Sequence, residues 1–265
     1  MFERILVGYL DNEQGHDALE LGRALSQASR GEMLVVTASD DDGRDLTRLA
    51  RAERADLVVL GSTHRGPIGR VMPGATVGRL LADAPCAVAV AQPGFARPAD
   101  GNLGWRPLSG EDEDAEMRVI GVGFDGSAAA RGALEAAAEL AVPNGAALRV
   151  YAVARNLPHP AALSDGAQAS AVLTEAEALR EQLHEAVARL PAEARALPVF
   201  LHGHPATELI AAAEIGIDLM VLGSRPGGPL RRALHGSISG AVLLEAACPV
   251  LISPAAVKAP AASLA

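Results

Sequence analysis

The segment Gly223-Ser-Arg-Pro-Gly-Gly-Pro-Leu-Arg-Arg-Ala-Leu-His-Gly-Ser-Ile-Ser239 sets glycines and hydroxyls between an apolar run and a second periodic stretch. Glycines permit positive φ and close approach of the backbone, so amides can turn toward an anion. Gly236-Ser237 opens a helix, whose N-terminal amides and dipole favour negative charge, and Ser237 and Ser239 add hydroxyl donors. A second cluster, Gly123-Phe124-Asp125, ends an earlier apolar run. In an open parallel sheet ligands lie at the carboxyl ends of strands, where the strand order reverses. A carboxylate at Asp125 can there accept hydrogen bonds from an adenine amino group or ribose hydroxyls.

The same phrase occurs twice. Val59-Leu60-Gly61-Ser62, Gly74 and Cys86 recur as Val221-Leu222-Gly223-Ser224, Gly236 and Cys248, each 162 residues on (223 − 61, 236 − 74, 248 − 86). The openings Ile5-Leu-Val-Gly8 and Ile120-Gly-Val-Gly123 are instead 115 apart (123 − 8). The chain is therefore a tandem duplication whose first unit is shorter by about one strand and one helix.

In the second unit a strand at 118–124 leads to a helix N-capped by Ser127 and stopped by Pro143-Asn144-Gly145. A strand at 148–153, a long helix at 167–190, a strand near Val199 and a helix at 206–214 follow. Then come a strand at 219–222, a helix after Gly236 and a closing strand at 250–252. The first unit has a strand at 4–9, a helix at 17–29, a strand at 33–37 and a helix at 44–54. It is expected to skip the second strand and the long helix. This alternation predicts an α/β fold: two tandem doubly wound, Rossmann-like parallel-sheet domains, the first lacking one strand and one helix. The expected boundaries are 1–92, a linker at 93–117 that is rich in proline and glycine and holds Glu111-Asp-Glu-Asp114 and Trp105, 118–254, and a tail at 255–265.

Hydrophobic residues make up 49% and charged residues 21%, a globular balance. The net charge of −9, with no basic patch beyond Arg231-Arg232, disfavours a nucleic-acid partner. No apolar stretch reaches the ~20 residues of a spanning helix and no signal-peptide layout opens the chain, so the expected location is cytoplasmic, without membrane. Cys86 and Cys248 precede apolar runs and are expected to be buried structural thiols. His202-x-His204 could share one face of a strand, but no third ligand stands nearby in sequence. No nucleophile elbow and no Gly-Lys-Ser/Thr ending occurs, so fast phosphoryl transfer is not expected.

Gly-x-x-Gly-x9-Gly-Ser after the fourth strand, with an aspartate after the first, resembles the pattern of ATP-binding universal stress proteins. The resemblance covers 2–91 and 118–254 and identifies the chain as similar to a tandem member of that family. It implies a stress-response regulatory protein that binds ATP or AMP with Mg²⁺ or Mn²⁺, with at most slow hydrolysis. The adenine would lie near Asp125 and Val153, with Gly123 and Leu222 as backbone neighbours. Gly223, Arg225 and Gly227 would approach ribose and phosphates, and Gly236, Ser237, Ile238 and Ser239 would hold the phosphates. The departures also follow from that comparison. Pro226 stands at the family's second glycine and removes an amide, so an interaction module that binds no nucleotide is the alternative. In unit one Leu10 takes the place of Asp125 with Asp11 displaced by one, His64 the second glycine position and Ala75 that of Ser237. Unit one is therefore expected to bind no nucleotide in the family manner. It would instead pack on unit two through the last strands, at 87–91 and 249–253, as an intramolecular pseudo-dimer or within a homodimer.

Overall fold

A computed structural model of the chain describes residues 2–37, 43–65, 71–72, 80, 85–96, 117–155, 166–224 and 238–254. The expected linker from Arg97 through Trp105 to Glu116, the tail, and the loop carrying Arg225, Pro226, Gly227, His235, Gly236 and Ser237 lie outside the described residues, as do Gly74 and Ala75.

Strands and helices alternate as the apolar periodicity requires. The N-terminal half holds β1 (Arg4–Tyr9), α1 (Glu13–Ser29), β2 (Glu32–Thr37), α2 (Gly43–Ala52), β3 (Leu57–Gly61) and β6 (Ala87–Ala91), with a ribbon of β4 (Thr63–Arg65) and β5 (Val71–Met72). The C-terminal half holds β7 (Val119–Gly123), α3 (Ala128–Ala141), β8 (Ala147–Ala154), α4 (Gly166–Ala188), β9 (Leu197–His202), α5 (Pro205–Ala213), β10 (Leu219–Ser224), α6 (Ile238–Glu245) and β11 (Val250–Pro254). None of the described helices is long and apolar enough to cross a membrane.

Nine strands form one sheet in the order β2-β1-β3-β6-β11-β10-β7-β8-β9. Every neighbouring pair is parallel except β6 and β11, which run antiparallel where the halves join. At that seam Leu251 faces Ala89, Val250 faces Val90 and Ile252 faces Val88. Ala89 and Leu251 are equivalent positions of the duplication (251 − 89 = 162), so a pseudo-dyad passes through this pair. The end strands thus meet where the sequence places them.

The strand missing from unit one is not the second. Arg4 pairs with Glu32 on β1 and β2, and Val119 pairs with Ala147 on β7 and β8; both partners are displaced by 115 (119 − 4, 147 − 32). β2 is therefore the counterpart of β8, and unit one lacks the counterparts of α4 and β9. The reason the sequence misleads is that a short apolar run at 33–37 maps onto a strand at either repeat offset. The consequence is visible in burial. On β8, Leu148, Val150 and Ala152 are fully buried under the long helix, whereas Leu34 and Val35 on the edge strand β2 are each 42% exposed.

Caps set the element ends. α1 starts at Asn12, whose Oδ1 accepts the Gly15 amide at 2.9 Å, earlier than the expected start at Asp17. Asp17 lies inside the helix, and its buried carboxylate accepts the amides of Gly94 (2.9 Å) and Ala96 (2.7 Å), folding the chain after β6 back onto α1. Ser127 caps α3 as expected, its Oγ accepting the Ala130 amide at 3.1 Å. Two aspartates outside any sequence motif, Asp56 and Asp218, stand 162 apart and serve the same purpose in each half. Asp56 accepts the amides of Glu3 and Arg4, and Asp218 those of Arg118 and Val119, so each ties the start of the opening strand to the strand beside it.

Candidate functional site

In the C-terminal half the chain runs from β7 to β8 and β9 on one side, then returns to β10 and β11 on the other. The order reverses between β7 and β10, and the carboxyl ends of these strands are where an open α/β sheet offers a crevice. Gly123 ends β7, Leu222 and Gly223 lie at the end of β10, and Val153 is next to last on β8. Ile238 and Ser239 begin α6. These residues thus occupy the ends of three adjacent strands and the start of one helix. Arg225, Gly227, Gly236 and Ser237 lie outside the described residues.

Local chemistry explains how the chain turns here. After β7 the Phe124 side chain is buried, and its amide donates to the Tyr151 carbonyl at 2.8 Å, extending the pairing of β7 with β8 by one bond. Asp125 is exposed at the lip, and its Oδ1 accepts the Ser127 amide at 3.0 Å, a short Asx turn that steers the backbone into α3. Gly126, at φ +75°, leaves room for Gln182 of α4, whose Oε1 a Cβ would meet at 2.0 Å. Gln182 is a neighbour of this loop that nothing in the sequence pattern signals, because the long helix is remote in the chain.

The strand-end glycines have a packing explanation. A Cβ on Gly223 would sit 2.4 Å from the Ala129 carbonyl carbon and oxygen, and one on Gly123 would sit 2.5 Å from Leu222 Cδ2. Gly223 therefore lets β10 approach the first turn of α3. The Gly223 carbonyl accepts the Ser239 hydroxyl at 3.3 Å, which ties the start of α6 to the end of β10. Leu222 is buried and Val153 half-buried, so Leu222 presents only its backbone.

The corresponding edge of unit one is built differently. Tyr9 donates to Asp11 Oδ1 at 3.3 Å and meets His16 edge-on at 5.7 Å, and a His16 ring nitrogen lies 2.7 Å from the Asn12 carbonyl. The β4–β5 ribbon follows β3 directly, and β5 packs on α6 of the other half. His202 contacts Phe200 edge-on at 5.3 Å, and His204 sits before α5. Among the described residues no group of three or more metal-ligating side chains occurs. Asp125 is an exposed carboxylate at the crevice and does not by itself make a metal site.

The two thiols are free. Cys86 is half-buried and Cys248 buried, and each is pushed up to about 12, by burial first and then by Asp56 or Asp218 respectively. Both are protonated at neutral pH and unsuited to nucleophilic work.

A model of the universal stress protein family matches residues 35–92 and 116–254. Among solved structures, a functionally unknown protein from Pseudomonas aeruginosa PAO1 is similar with a TM-score of 0.65 at 17% identity, covering 96% of this chain and 92% of that one. A universal stress protein from Archaeoglobus fulgidus DSM 4304 gives 0.60 at 15% identity, covering 95% and 96%. A universal stress protein in complex with cAMP matches 51% of this chain and 95% of its own, at 23% identity and a TM-score of 0.35. No curated protein matches the chain. With most of its length inside the family model, and with a doubly wound sheet in each half, the chain belongs to the universal stress protein family.

Proposed function

We propose that this protein binds an adenine nucleotide, ATP or AMP with Mg²⁺ or Mn²⁺, in its C-terminal half, and that it acts as a nucleotide-responsive regulatory protein of the stress response. The observation that carries this reading is the reversal of strand order between β7 and β10, with exposed Asp125 at one strand end and α6 tied to the other by Ser239. Family membership supports the choice of nucleotide. Asp125 would hold adenine or ribose, Val153 would line the adenine side, and the amides and hydroxyls at the start of α6 would meet phosphate oxygens. Gly236 and Ser237, just before α6 in sequence, and Arg225 and Gly227 would complete the seat. The N-terminal half is read as carrying no second seat, because Leu10 stands where Asp125 does and Asp11, one residue on, accepts from Tyr9. No lysine stands among the described residues of the C-terminal edge, and Asp125 is engaged in its own Asx turn, so turnover would be slow at most.

Calorimetric titration of the full chain with Mg²⁺-ATP and with AMP tests the reading. Saturable heat that weakens on Asp125→Ala and is unchanged on Leu10→Ala supports it; no heat up to millimolar nucleotide refutes it. That second outcome would favour an interaction module without ligand, a reading that Pro226 supports through its missing amide.

A further inference from the structure

The first half reaches into the second at a buried polar point. Gln92, directly after β6, is 6% exposed, and its Nε2 donates to the Leu243 carbonyl in the last turn of α6 at 3.3 Å. The last four carbonyls of a helix lack partners within it, so an outside donor at Leu243 is a C-terminal cap, here supplied by the other half. Among the described residues the Gln92 Oε1 has no hydrogen-bond partner, and neither has the Oγ of Ser62, 1% exposed and anchored beside β6 by its amide on the Ala91 carbonyl at 3.0 Å. Such groups weigh against folding. The arrangement is also one-sided. The position equivalent to Gln92 in the second half is Pro254 (254 − 92 = 162), which carries no donor to return the contact.

We propose that Gln92 is a positioning residue: it fixes α6 from the N-terminal half and thereby sets the seat at the start of that helix. Ser239 holds the beginning of α6 and Gln92 its end, so a helix of eight residues is pinned at both termini. This inference rests on the nucleotide reading for its functional half and on the α6 contacts for its structural half.

Gln92→Met in the full chain separates the two. The substitution keeps length, removes the unpartnered oxygen along with the donor, and is expected to leave the melting temperature unchanged or raise it. Hydrogen exchange of the α6 amides, measured without nucleotide, should speed up several-fold, and the Kd for Mg²⁺-ATP should rise about three- to tenfold. Ser62→Ala, which also removes an unpartnered group but touches no cap, should change neither. Unaltered α6 exchange in Gln92→Met overturns the brace. Faster exchange with an unaltered Kd overturns its link to the seat. A wild type that gives no heat with ATP refutes the nucleotide reading, and the exchange data then judge the brace alone.

Discussion

Asp218 illustrates how much a single side chain settles in this fold. Its carboxylate accepts two successive amides at the start of β7, and hydrogen bonds to a charged group are worth more than neutral ones. Because the contact is partly solvated, Asp218→Ala is expected to cost about 1–2 kcal/mol, and Asp56→Ala a similar amount. Denaturant unfolding of the two variants measures this. Gly223→Ala should cost about 1–3 kcal/mol, because its Cβ would press on backbone and not on a movable side chain. The thiols give a pH signature. Each titrates near 9.0 when unperturbed and near 12 in the fold, so their contribution is fully present below about pH 9 and is lost as pH rises toward 12. Stability should fall through that alkaline window, and Cys248→Ala should flatten the slope by up to about 1.4 kcal/mol per pH unit. A slope unchanged in Cys248→Ala would contradict the buried-thiol assignment. Asp125 and Gly223 were legible in the sequence because their positions repeat or end an apolar run. Gln182 and Gln92 were not, since each acts on a partner remote in the chain and neither belongs to a local motif.

At the scale of elements, α4 and β9 distinguish the halves. The long helix buries Leu183 against β8, and Leu183→Ala should cost about 2–5 kcal/mol, read from the same unfolding curves. Among the described residues unit one carries no counterpart of this helix, and β2 is left as an edge strand. Leu34→Lys is therefore expected to change stability by no more than about 0.5 kcal/mol, although the residue is apolar and within a strand. Strand and helix identities followed from period and caps, and most boundaries fell within a few residues. α1 begins earlier than the sequence suggests, because Asn12 is as good a cap as any later residue and Asp17 is used elsewhere. Which strand is lost does not show in the sequence, because its place is fixed by pairing with β1, which hydrophobic periodicity does not report.

For the whole molecule, the seam joins the two halves into one sheet. Ala89, Val88 and Val90 meet Leu251, Ile252 and Val250, all buried, so the halves should unfold together in a single transition. A fragment spanning 117–254 would expose β11 and, because the pseudo-dyad passes through Leu251, is expected to pair with itself and sediment as a dimer. A monodisperse monomer would show that the seam depends on features unique to β6. The asymmetry of the halves also sets the functional expectation: Asp125 follows β7 directly, whereas in the first half Leu10 takes that place and Asp11, one residue on, accepts from Tyr9. Amide chemical-shift mapping of the full chain with Mg²⁺-ATP tests this most directly. Perturbations should concentrate at Gly123, Asp125, Gly223, Ile238 and Ser239 and leave Gly8 and Gly61 in place. No shifts up to millimolar nucleotide, or shifts centred on Gly8 and Gly61, would contradict it.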